Sequence, residues 1–300
     1  MGQGKGAGQG MTLAPPRRIQ VPGHLGELMQ GRLGPQGPVV LLTLPCPALR
    51  MVGQWRTGEF ALHQPGPTIV SRAQVTGLLR ALDLPVRGQF TLRAQMPPGG
   101  GAGSSTAALV AVARLAGHPA AAARDLALAC IAVEGASDPL MFPASAGLLW
   151  ASRQGRILRS LPPLPGIEVL GGFFGPMRRT DPADSRFADV SDLADALPHA
   201  LRSAAALAEL SGESARRALA LRGAQSLKGG QSLRGGQSLQ QGGADPTCQL
   251  ARDLGALGYA IGHTGPARAL IFAPGCVPAH AKALLLEAGF RQLVQFRPGT

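Results

Sequence analysis

The chain has 300 residues, 45% of them hydrophobic and 15% charged, which suits one large core or two modest ones and excludes a wholly disordered chain. Its formal net charge is +12, yet only Lys5, Lys228 and Lys282 are lysines, the arginines are scattered and aromatics reach 4%, so the cationic stripe with stacking rings that marks a nucleic-acid face is missing. No apolar run reaches transmembrane length, residues 1–10 lack a signal-peptide core, and Cys46, Cys130, Cys248 and Cys276 form no CxxC pair, which argues against a membrane span, a zinc site and a disulfide framework and fits a reducing cytoplasm.

Residues 1–16 are glycine-rich, end in Ala14-Pro15-Pro16 and read as a flexible tail. Short apolar runs at Ile19 to Val21, Val39 to Leu44 and Phe60 to Leu62, separated by Gly and Pro, predict strands, and Ile69 to Leu82 carries the spacing of an amphipathic helix. The alternation of Phe90, Leu92, Ala94 and Met96 predicts a half-buried strand, followed after PPGGGAG by an apolar helix over Ser104 to Ala116. A helix over Ala120 to Val133 and two strands within Gly147 to Leu158 come next. Beyond Pro165 the pattern predicts a strand at Glu168 to Phe174 and helices near Leu193 to Leu197, Ala200 to Leu210 and Glu213 to Leu221. Residues 223–244 carry the units QSLKGG, QSLRGG and QSLQQGG, too short a period for a solenoid, and read as a flexible low-complexity insertion. A helix at Thr247 to Leu257, a strand at Tyr259 to Gly262, a turn at His263 to Pro266, a strand at Ala269 to Ala273, a helix at Ala279 to Ala288 and a strand at Gln292 to Phe296 close an α+β chain.

The segment Pro97-Pro98-Gly99-Gly100-Gly101-Ala102-Gly103-Ser104-Ser105 lies between a strand and a helix, where free N–H groups and the helix dipole attract anions and glycine lets backbone approach phosphate oxygens. An ordinary turn needs one or two glycines, and this one has four before paired serines, so it reads as a phosphate-binding loop. It lacks the GK[ST] ending of a Walker A motif, and Ser104 stands where a GxGxxG fingerprint starting at Gly99 needs glycine.

This loop resembles the PxGxGLGSS motif of the GHMP kinase superfamily, with Ala102 in place of Leu. The segment Val21-Pro22-Gly23-His24-Leu25-Gly26-Glu27-Leu28-Met29-Gln30-Gly31 resembles that superfamily's N-terminal motif, and its GELxQG core resembles the L-threonine kinases of cobalamin biosynthesis. Gly262-His263-Thr264-Gly265 resembles the third motif, with Thr264 and Pro266 departing from the usual His-Ser-Gly-Thr run. The resemblance implies two domains, a ribosomal S5-like one over 17–160 and a ferredoxin-like one over 161–300, with ATP and Mg²⁺ in the cleft between them. It further implies a kinase that phosphorylates the hydroxyl of a small molecule, L-threonine, with homoserine or a mevalonate-type alcohol as alternative acceptors and a nucleotide-binding regulator without catalysis as the rival of another class. No nucleic-acid or membrane partner is implied, and a homodimer is left open.

Phosphoryl transfer asks a protein to hold phosphates, place a metal, orient the hydroxyl and balance charge. By the resemblance, Pro98, Gly99, Gly100, Gly101, Ala102, Gly103, Ser104 and Ser105 hold ATP, and Ser105 and Glu134 hold Mg²⁺. Glu134 ends a predicted helical segment, where a negative charge opposes the dipole, a misfit that a metal would explain. Asp138, in Glu134-Gly135-Ala136-Ser137-Asp138-Pro139, is the acceptor's base, its ammonium partner or simply a turn aspartate before proline. Glu27, Gln30, His263, Thr264 and Gly265 are the remaining acceptor-binding candidates.

Overall fold

A computed structural model describes residues 17–228 and 245–298. The tail expected over 1–16 and residues 229–244 of the expected insertion lie outside the described residues.

Two long strands organise the N-terminal half: β1 (Arg17–Arg32) and β2 (Val39–Arg56) pair antiparallel along most of their length. Both outrun the short strands expected at Ile19 to Val21 and Val39 to Leu44. Glycines at 23 and 26 look like breakers in the sequence but here sit at register shifts, where β1 bulges and bends without ending. Every residue from Leu25 to Gly31 is buried, because α2 (Ser104–Leu115) covers β1 on one side and α5 (Ala204–Lys228) on the other. The motif GELMQG therefore lies within a central strand.

β2 also pairs with β4 (Gln89–Ala94), which runs parallel to the short β3 (Ala61–His63), and with β5 (Leu148–Ala151), whose hairpin partner is β6 (Arg156–Ser160). Two further helices, α1 (Arg72–Ala81) and α3 (Ala123–Glu134), pack against each other and against α2. A capping box starts α1: the Ser71 hydroxyl accepts from the Gln74 N–H at 3.1 Å, and the Gln74 side chain accepts from the Ser71 N–H at 2.8 Å.

In the C-terminal half β7 (Glu168–Phe173) lies between β10 (Arg291–Phe296) and β9 (Ala267–Phe272), and β9 pairs with β8 (Gly258–Ile261), all antiparallel. α4 (Ser191–Ala200), α5, α6 (Thr247–Asp253) and α7 (Ala281–Glu287) complete it. The two helices expected at Ala200 to Leu210 and Glu213 to Leu221 are one, α5, which also reaches the first residues of the expected insertion. The Ser211-Gly212 pair reads as a break, but the Ser211 hydroxyl donates to the Tyr259 carbonyl at 2.9 Å and Ser214 accepts from the Gln30 N–H at 2.9 Å, so both serines tie the helix to the sheet.

The halves meet where β1 and β8 pair at Glu27 and Ile261, making one ten-stranded sheet of the described strands. The larger hydrophobic core draws Leu28, Met51, Leu109 and Trp150 from one half and Phe173, Leu207 and Ile271 from the other. A smaller core, with Leu254, Tyr259, Leu270 and Leu285, lies under the C-terminal helices. Among the described residues no helix is long and apolar enough to cross a membrane.

Candidate active site

The glycine loop is held in place from two sides. The Ala102 carbonyl accepts from the His24 N–H of β1 at 3.2 Å, and the Gly100 carbonyl accepts from the Ala267 N–H at 2.9 Å. Gly101 and Gly103 have φ of 72° and 73°, a left-handed conformation that L side chains rarely adopt. A Cβ on Gly101 would lie 2.1 Å from the Thr264 carbonyl oxygen, and one on Gly103 would lie 2.7 Å from the His24 ring. Glycine is thus required both by conformation and by the packing of loop on turn.

The loop opens α2 and faces a cavity of about 270 Å³. Pro98, Gly99, Gly101, Gly103, Ser104 and Ser105 line it, whereas Gly100 and Ala102 do not and instead use their carbonyls to fasten the loop. Gly103 caps the helix without a side-chain bond to the first-turn amides, so that end of α2 faces the cavity with its dipole.

Glu134 ends α3 across the cavity, before Gly135 closes the helix with φ 77°. Its carboxylate accepts from the Ser105 hydroxyl and, at 3.1 Å, from the Gln74 side-chain amide. The structure thus brings together the two residues expected to share a metal. Burial pushes the Glu134 carboxyl up to about 7; the Ser105 bond counters this, Asp138 adds repulsion and Arg179 attracts. A hydroxyl oxygen and a carboxylate oxygen side by side, next to the glycine loop, fit a hard, oxygen-seeking cation such as Mg²⁺.

A second cluster lies deeper. His24 stands between two carboxylates, with Nδ1 3.3 Å from Glu27 and Nε2 3.4 Å from Asp138. His24 is 2% and Glu27 1% exposed, whereas the Asp138 side chain keeps 22% and faces the cavity. Burial works to lower the His24 pKa, but Glu27 and then Asp138 outweigh it and raise it to about 9. Burial raises Glu27 to about 8 against the pull of His24. Asp138 is raised by burial but held below the ordinary carboxylate range by His24, with smaller help from His263 and Thr106. The three ligand atoms lie within 4.8 Å of one another. The two imidazole nitrogens point opposite ways, one to each carboxylate, so the arrangement is an ion-paired row and not a cage around an ion.

The acceptor candidates divide between two cavities. Glu27 and Asp138 line the first, Gln30 and Gly265 a neighbouring one of about 750 Å³, and His263 and Thr264 line both. Gln30 is engaged structurally: its amide donates to the Ile261 carbonyl at 2.8 Å and accepts from Arg222 at 3.3 Å. His263 stacks on Phe187 with ring centroids 5.1 Å apart; burial and Arg222 drop its pKa to about 4, leaving it neutral.

Several site residues escape a reading of the sequence. His24 lies inside the quoted N-terminal motif, but its partner Asp138 is far away in the chain. Arg178 and Arg179 come from the segment 174–190 and line the cavity. The Arg178 N–H donates to the Gly99 carbonyl at 2.8 Å, the Arg179 guanidinium to the Thr68 carbonyl at 2.7 Å, and the Thr180 and Thr264 hydroxyls share a 2.8 Å bond. Arg178-Arg179 has no motif around it that singles it out from the other scattered arginines.

No family model and no curated protein matches the sequence. Solved structures do match the fold. The mevalonate kinase of methicillin-resistant Staphylococcus aureus aligns over 96% of this chain and 100% of its own, at 13% identity and a TM-score of 0.55. A putative homoserine kinase from Listeria monocytogenes aligns over 94% and 97%, at 14% identity and a TM-score of 0.57. The mevalonate pyrophosphate decarboxylase of Streptococcus pyogenes aligns over 94% and 97%, at 11% identity and a TM-score of 0.56. At these identities the likeness establishes the fold: the chain has the α+β fold of these structures along nearly its whole length.

Proposed function

We propose that the chain is an ATP-dependent kinase that phosphorylates the hydroxyl of L-threonine to O-phospho-L-threonine, the step the GELMQG resemblance associates with the cobalamin side chain. The observation that carries the kinase reading is the pairing of Ser105 and Glu134 at the phosphate loop, with the Asp138 carboxylate facing the same cavity.

In this reading the amides of residues 99–105 and the α2 N-terminus hold the phosphates of ATP, and Ser105 and Glu134 hold Mg²⁺. The metal ion, when bound, neutralises charge on the β- and γ-phosphates. Arg178 and Arg179, which line the same cavity, add positive charge. Asp138, which lines the same cavity, orients the acceptor hydroxyl in this reading. The acceptor oxygen bonds to the γ-phosphorus, the bond from that phosphorus to the β,γ-bridging oxygen breaks, and ADP leaves. The hydroxyl proton goes to Asp138, which His24 keeps ionised, or to the transferred phosphoryl group. A hydroxyl needs little base assistance in a loose transfer, so the larger service of Asp138 is orientation.

The acceptor is the finer part of the proposal and rests on Gly26 to Gly31. Homoserine is the second reading, favoured by the likeness to a putative homoserine kinase. Initial rates of ADP release with L-threonine, L-serine, L-homoserine and mevalonate test both. The highest kcat/KM is expected on threonine; absence of threonine turnover beside robust turnover of another alcohol removes threonine, and ATP binding without turnover of any of them leaves a nucleotide-binding regulator.

A further inference from the structure

A second cavity, of about 750 Å³, adjoins that of the glycine loop at the His263 to Gly265 turn. Its most unusual wall residue is Arg222, on α5. This part-buried guanidinium spends Nη2 on three neutral acceptors: the carbonyls of Gly262, at 2.8 Å, and His263, at 2.5 Å, and the Gln30 side-chain oxygen, at 3.3 Å. Its Nε and Nη1 make no hydrogen bond among the described residues, and no carboxylate pairs with it there. A part-buried cation without a paired carboxylate is unfavourable, and burial lowers the Arg222 pKa to about 10, with Arg268 and Arg178 adding repulsion that Asp245 and Asp184 partly offset.

Arg178 and Arg179 line this cavity as well as that of the glycine loop and make no ion pair among the described residues; the remaining charges are engaged. Arg268 pairs with Asp245 at 2.7 Å. Asp181 accepts the Ala183 N–H at 2.8 Å, and Asp184 accepts the Arg186 N–H at 3.0 Å and lies 3.8 Å from that arginine's side chain. Arg222 thus keeps free donors beside the apolar side chains of Phe174, Met177, Phe187 and Leu221, with Asp181 and Asp184 also lining the cavity. A guanidinium with free N–H groups suits a carboxylate.

We propose that this cavity is a binding site for a small organic acid, its carboxylate held by Arg222 and its short aliphatic part by Phe174, Met177, Phe187 and Leu221. The carboxylate has two sources: the acceptor of the proposed reaction, reaching past His263, or a separate acid bound behind the turn. The site itself does not depend on the kinase reading; only the first source does.

Titration calorimetry on the full chain, with butyrate, L-threonine, L-threoninol and inorganic phosphate as probes, tests this. A carboxylate is expected to bind saturably, with Arg222→Gln weakening it about 10-fold or more, the effect of one charge-assisted hydrogen-bonded contact, while Mg-ADP binding stays unchanged. Met177→Asp, at a 45% exposed position that tolerates a polar side chain, adds a like charge beside the carboxylate and is expected to weaken it several-fold without disturbing the turn. No carboxylate binding in the wild type, unchanged affinity in both folded variants, or phosphate binding in preference to butyrate overturns the proposal. Competition between butyrate and threonine, with a raised threonine KM in Arg222→Gln, assigns the site to the acceptor, and independent binding of the two assigns it to a separate acid. Butyrate held by Arg222 in a chain that never phosphorylates threonine leaves the site standing and removes the threonine reading.

Discussion

Glu134 carries a negative charge at the C-terminus of a helix, where the dipole disfavours it, and burial raises its pKa to about 7. Such a group gains from a cation and loses little by neutralisation. Glu134→Gln is therefore expected to keep the bonds to Ser105 and Gln74 and hold or raise Tm, yet to lower kcat about 100-fold or more if the carboxylate holds the metal that stabilises the transition state. Steady-state rates beside a thermal melt check the split; a fall in Tm with kcat intact marks a structural carboxylate. The buried row beneath it makes a separate prediction. His24 is raised from 6.5 to about 9 and Glu27 from 4.5 to about 8, so the folded state binds more protons than the unfolded one across those ranges. The His24 contribution is complete below pH 6.5 and lost as pH rises through 9; that of Glu27 falls away from 4.5 to 8. Tm is thus expected to drop by on the order of a few degrees between pH 6.5 and 9. Glu27→Gln removes one raised group and the main attraction on the other, so its Tm should change less over that interval, as melts in a buffer series would show.

At the scale of elements, the glycine loop was readable because its chemistry is contiguous: strand, glycines, serines and apolar helix follow one another in the chain. The elements that face it were not. β1 hides its length because Gly23 and Gly26 resemble turn glycines, and only the partner strand shows that they are bulges. The turn at His263 to Pro266 was recognised as a turn, but nothing local shows that its Thr264 carbonyl presses on Gly101. His24 lies on β1 and Asp138 in the segment that follows α3, and their contact exists only once the two are packed together. The loop-to-turn contact has a measurable consequence. Gly101→Ala meets both a left-handed φ and a backbone oxygen 2.1 Å from the new Cβ, whereas Gly66→Ala at φ 113° meets nothing within 4 Å. Gly66→Ala is expected to cost about 1 kcal/mol from backbone strain alone. Gly101→Ala should cost about 3 kcal/mol or more and weaken nucleotide binding, because the loop or the turn must shift. Denaturant unfolding and ADP titration of the two variants compare them directly, and equal losses would mean that the loop yields without moving the turn.

The two halves of the molecule share one sheet and one core. The larger core takes side chains from both sides of residue 160, β1 from the N-terminal half is paired to β8 from the C-terminal half, and α5 crosses back over β1. Burial of shared apolar surface couples the unfolding of the parts that share it, since neither half can unfold without exposing Leu28, Phe173 or Leu207 to water. A single cooperative calorimetric transition is therefore expected, with the calorimetric and van't Hoff enthalpies in agreement. The cavity of the glycine loop is built from both halves, with Ser105 and Glu134 on one and His263, Thr264 and Arg179 on the other. Mg-ADP should accordingly raise that transition as a whole, by about 2.7 kcal/mol of added stability at 100 times its Kd. Two resolved transitions, with only the first moved by ADP, would show that residues 17–160 fold and bind nucleotide alone. A chain of residues 17–160 decides the same point: without Phe173, Leu207, Ile271 and β8 it leaves the inner face of β1 uncovered, and it is expected to aggregate or remain unfolded where the full chain is folded.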